Sequence, residues 1–114
     1  MKLKNRSEVA LYVWDYFYCS NFPPRGDEKV WAAIERATCR IRESEPYLDP
    51  PTPPDVRIRN ARRVRNASRV ARRQIERLSI QPERWVIERL AELETLTDKL
   101  MQTLSDPARQ LVLD

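Results

Sequence analysis

The chain has 114 residues, 41% of them apolar, enough for one modest core rather than two independent ones. With no histidine and only two cysteines, it excludes a zinc site of the four-cysteine or two-cysteine, two-histidine kind built within one chain. The net charge of +4 is mild but uneven, −1 over residues 1–55, +8 over 56–78 and −3 over 79–114, so the basic isoelectric point comes from one segment.

Glycine occurs once, at Gly26, and five of the nine prolines cluster in PYLDPPTPP at 46–54. Few breakers mean few, long elements, and the periodicity favours an all-α fold: a small bundle of four main helices with a proline-rich connector and a C-terminal αα-hairpin. The whole chain is read as one helical domain, with aromatic and amphipathic helices over 1–45, the connector at 46–54 and an arginine-rich hairpin over 55–114.

The opening MKLKNRSEVALYVWDYFYC mimics a signal peptide, but its apolar run contains Asp15 and leads to no small-residue cleavage site. The run is also too short to span a bilayer. The expectation is therefore an intracellular protein without a membrane partner, cytoplasmic, or nuclear in a eukaryotic or viral setting, with Cys19 and Cys39 reduced and largely buried and the Asn-x-Ser triplets at Asn5 and Asn66 irrelevant. A first helix is expected over residues 7–20, capped by Ser7 and ended by Pro23 and Pro24. Six of the nine aromatics lie between Tyr12 and Phe22, a density that points to burial on several sides and to a homo-oligomer or larger assembly.

Asp27 is placed to cap a second helix running to residue 45, with Val30, Ile34, Ala37 and Ile41 on one face, Trp31 beside them and Pro46 stopping it. The proline segment then reads as a stiff connector, able to swing the second half across the first or hold the two apart. A third helix is expected over 55–78. A fourth starts with Pro82 at its first position and continues to about residue 104, leaving only Ser79 to Gln81 between them. Its seam is Val86, Leu90, Leu93, Thr97, Leu100 and Leu104. A last turn over 105–113 could cap the bundle.

Residues 57–78, RIRNARRVRNASRVARRQIERL, carry nine arginines, one glutamate and no lysine. On a helix, Ala61, Val64, Ala67, Ala71, Ile75 and Leu78 fall within about 120°. Arg62, Arg65, Arg69, Arg72 and Arg73 occupy a separate arc of about 100°, flanked by Arg59, Arg63 and Arg77. These eight arginines are the candidate binding residues, because guanidinium is a planar, bidentate, permanently charged donor for phosphate. Two other readings compete: internal pairing with Glu83, Glu88, Glu92, Glu94 and Asp98 of the fourth helix, or binding of an acidic protein partner by a structural or adaptor subunit. The cluster can also be read as a nuclear-import signal.

A bZIP basic region is excluded, since Asn66 is followed at the diagnostic positions by Arg69, Val70 and Gln74, and Pro82 breaks any zipper. In composition and length this segment resembles the arginine-rich RNA-binding helices of some viral regulators, a likeness that covers roughly 20 of 114 residues and implies backbone or shape recognition of RNA. Without a helix-turn-helix glycine turn or an aromatic RNP strand, base-specific reading is not indicated. No Gly-rich phosphate loop, paired-acid motif or cofactor signature occurs, so the expectation is a non-enzymatic protein binding RNA or DNA phosphates, with no metal and no cofactor.

Overall fold

Three α-helices and one 3₁₀ turn make up the secondary structure of residues 25–105, the residues this computed structural model describes: α1 (Glu28–Ser44), the turn (Glu45–Tyr47), α2 (Pro54–Ile75) and α3 (Arg84–Ser105). No strand occurs among them, as the sparse glycines and the 3.6-residue periodicity require. The helix expected over residues 7–20 and the last turn at 106–113 lie outside the described residues. So do Asp15, Cys19 and the aromatic cluster on which self-association was argued.

Asp27 occupies the N-cap position of α1, but its carboxylate does not cap that helix. It accepts instead from the backbone N–H of Ser79 at 3.1 Å and the Ser79 hydroxyl at 2.7 Å, tying the start of α1 to the connection between α2 and α3. The reason is burial: a nearly inaccessible carboxylate takes the donors that reach it, and here two come from one serine. The other side of the turn is held by Glu28, which accepts from the Gly26 N–H at 2.9 Å. Gly26 has φ of 98°, a left-handed conformation that disfavours a side chain.

The proline segment is not a spacer. After α1 the chain tightens into the 3₁₀ turn, with Pro46 near its start, and drops Leu48 fully into the core. The Leu48 carbonyl then accepts from Arg57 Nε at 3.0 Å, so the first turn of α2 clasps the connector. One buried leucine is sufficient to overrule the stiff-linker expectation, because its apolar side chain is stabilised by roughly 1.5–3 kcal/mol when it leaves water.

Pro54 sits in the first turn of α2, where its missing N–H costs nothing. The helix ends at Ile75, three residues earlier than expected, and Leu78 still reaches the core through a tight turn closed by Arg77 N–H to Gln74 and Leu78 N–H to Ile75. Gln81 donates its amide to the carbonyls of Ile75 and Leu78 at 2.9 and 2.7 Å, satisfying groups the helix end leaves open. Held by this bond and by the Asp27 tie, the connection spans 76–83, and α3 begins at Arg84 rather than at Pro82.

α2 is the central helix, packing against α1 on one side and α3 on the other. All six of its expected core residues are buried. From α1 come Trp31, Ile34, Ala37 and Ile41, with Val30 only at the margin. The α3 seam follows expectation through Val86, Leu90, Leu93 and Thr97, then passes to Met101 instead of Leu100 before Leu104. Leu100 and Met101 flank the seam on either side, Met101 buried and Leu100 partly buried against the same core.

Candidate functional site

Of the nine arginines of residues 57–78, Arg57 bonds the Leu48 carbonyl and the other eight divide by direction. Taking Arg59 as the origin and about 100° per residue, the buried face of α2 covers roughly 80° to 200°. Arg65, Arg69 and Arg72 follow at about 220° to 280°, on the flank that meets α3. Arg59, Arg62, Arg63, Arg73 and Arg77 span about 300° round to 40°, opposite the core and toward α1.

The α3 flank is an ion-pair ladder. Arg65 Nη1 lies 3.2 Å from Asp98, Arg69 Nε 3.0 Å from Glu94, and Arg72 Nε 2.6 Å from the same Glu94, which also accepts from Arg72 Nη2 at 3.2 Å. Glu94 is the keystone, its side chain 12% exposed and accepting three N–H groups. Burial alone would raise its carboxyl, but the hydrogen bonds from Arg72 and Arg69 outweigh that and hold it below the ordinary glutamate range. The Arg72 guanidinium is correspondingly raised, first by its hydrogen bond to Glu94. Three of the eight predicted binding arginines are thus committed inside the molecule, which corrects the single uninterrupted rail expected along α2. Of the acids expected to pair across the seam, Glu94 and Asp98 do so; Glu88 and Glu92 pair along their own helix with Arg84 and Arg89.

The remaining five candidates are exposed, and among the described residues none of them meets a carboxylate. Arg59, Arg63, Asn66, Val70 and Arg73 step by four and three alternately, one continuous stripe about 20 Å long along the edge of α2 that borders α1, and Arg77 follows in the turn after the helix. Across it α1 contributes Arg36 and Arg40, both exposed. A groove of about 380 Å³ lies between the helices, lined by the buried Ala37 and Ala67 and by Ala33, Val70, Arg36, Arg40, Arg63 and Asn66.

Arg36 and Arg40 were not among the sequence-predicted residues. The signal was present in their i, i+4 spacing on the face of α1 next to its apolar stripe, but nothing in the chain said which edge of α1 would meet α2. Cys39 is a free, half-buried thiol, its pKa pushed up chiefly by burial, which suits a structural residue rather than a nucleophile. Among the described residues no cluster of three or more potential metal ligands exists, and no helix is long and apolar enough to cross a membrane. No family model, curated protein or solved structure matches the chain, so the site stands on its own residues.

Proposed function

We propose that the protein binds the phosphate backbone of RNA or DNA through the outward arc of α2, formed by Arg59, Arg62, Arg63 and Arg73, with Arg77 in the turn that follows the helix. The observation that carries this reading is the division of the arginines. Two α3 acids pair with Arg65, Arg69 and Arg72, whereas five neighbouring guanidiniums meet no carboxylate among the described residues. Like charges held at i, i+4, as at Arg59 and Arg63, destabilise a helix by a few tenths of a kcal/mol per pair. With no carboxylate beside them among the described residues, a bound polyanion would supply the compensation. Phosphate suits the arrangement because each guanidinium can take two of its oxygens at once.

Fluorescence anisotropy with labelled RNA and DNA across a salt series tests the reading. About five phosphates neutralised give a slope of log affinity against log salt near −3.5 for a single strand and −4.5 for a duplex. A flat dependence, or no binding, would defeat it. The same guanidiniums also take carboxylates, as Glu94 and Asp98 demonstrate, which favours an acidic protein segment as the second reading. Competition by polyglutamate at equal charge, undiminished by excess nucleic acid, would move the assignment to that partner.

A further inference from the structure

The groove between α1 and α2 is more than an extension of the charged stripe, because its lining is amphipathic. Three guanidiniums from two helices line it together with the buried Ala37 and Ala67, Ala33 and Val70, the last 45% exposed amid arginines. Phosphate contact alone has no use for an apolar recess. From the phosphate reading above and this lining, we infer that the groove seats a nucleobase, so that the ligand is a single-stranded nucleic acid lying along α1 and α2.

The geometry supplies each part. α1 and α2 run in opposite directions, so Ala33, Arg36 and Arg40 on one bank face Val70, Asn66 and Arg63 on the other. The cavity of about 380 Å³ falls in the range of small-molecule sites, large enough for one flat heterocycle. A single strand can turn a base out of its stack and lay it against the alanines, with guanidinium planes of Arg36, Arg40 or Arg63 against its face and the Asn66 amide at its edge. Its flanking phosphates then fall on Arg59, Arg62 and Arg73. A duplex keeps its bases stacked inside and presents sugar and phosphate, which would leave the recess unfilled. Small lining residues are what keep it open, since any larger side chain at Ala33 or Ala67 would fill it.

The test uses the full chain and four probes at fixed low salt: an oligothymidylate of about 12 nucleotides, within the usual site size for single-strand grooves; an abasic phosphodiester strand of equal length; a duplex of equal length; and polyglutamate. The oligothymidylate should bind about tenfold tighter than the abasic strand, in keeping with one seated base. Ala33→Leu, which fills the recess without adding charge, should bring the oligothymidylate down to the abasic level while leaving abasic binding unchanged. Equal affinity of wild type for the base-bearing and abasic strands, or a preference for duplex, overturns base seating and leaves phosphate binding standing. Absence of salt-dependent binding to all probes overturns both, and polyglutamate bound as tightly as oligothymidylate transfers the surface to an acidic protein. Should Ala33→Leu lose its helical circular dichroism, the wild-type comparison of the two strands decides alone.

Discussion

Replacing Glu94 by glutamine separates the two arginine populations. The substitution keeps length and shape but removes the charge that three N–H donors of Arg69 and Arg72 converge on. Exposed ion pairs contribute about 0.2–1 kcal/mol, and breaking a fully buried pair costs about 3–5 kcal/mol. Glu94 itself is 12% exposed, but Arg69 and Arg72 keep 42% and 28% of their side-chain surface and can rehydrate. The loss should therefore lie nearer the lower limit, about 2 kcal/mol, or roughly 8 °C in Tm for a domain of this size. Thermal unfolding by circular dichroism reads it directly, and a cycle with Arg72→Gln should return a coupling of about 1 kcal/mol. In contrast, Arg59→Gln, Arg62→Gln, Arg63→Gln and Arg73→Gln combined should leave Tm unchanged or slightly raised, because they relieve i, i+4 repulsion without breaking a pair. The reasoning is refuted if Glu94→Gln melts with wild type, or if the quadruple variant loses several degrees.

Other outcomes follow from individual contacts. Because the folded-state pKa of Glu94 is depressed, the stability it confers is complete above the ordinary carboxylate range and fades as pH falls from about 4 through the lowered value; acid titration of Glu94→Gln should show a shallower decline than wild type. Leu48→Ala should cost about 2–5 kcal/mol and turn the proline segment from protease-resistant to cleavable, and a near-neutral result would mean that the connector is not part of the core. Ser68 is fully buried with a hydroxyl that has no partner among the described residues, so Ser68→Ala should be neutral or stabilising by up to about 1 kcal/mol in urea unfolding; a clear loss would reveal a hydrogen bond at that position.

How far the sequence was legible depended on the range of the forces involved. The packing face of α2 was fully readable, because burial of Ala61, Val64, Ala67, Ala71, Ile75 and Leu78 depends only on local periodicity. The seam of α3 was readable except where Leu100 and Met101 flank it, since periodicity does not decide which of two flanking residues a neighbouring helix covers more. Contacts between distant residues were not readable. Asp27 carries a strong local cap signal, yet its carboxylate is taken by Ser79, 52 positions away. Leu48 sits among prolines whose composition suggests a spacer, and only the surface offered by α1 and α2 makes it a core residue. The arginine site lay between these cases: periodicity showed that a charged arc exists, but which part of it faces α3 is decided by where Glu94 and Asp98 fall along a separate helix.

Those two acids also shape the site they do not belong to. Eight arginines around one helix would spread positive potential over most of its exposed surface and repel one another at Arg65 with Arg69 and at Arg69 with Arg73. By placing one carboxylate between Arg69 and Arg72 and another at Arg65, α3 offsets most of the charge on its own flank and gains its attachment to α2 through the same contacts. The flank where α1 adds Arg36 and Arg40 carries no such acid among the described residues. Arginine at all eight positions follows from this division: the guanidinium fork that takes two oxygens of Glu94 on one flank is equally suited to take two of a phosphate on the other, whereas lysine would offer a single point charge to either.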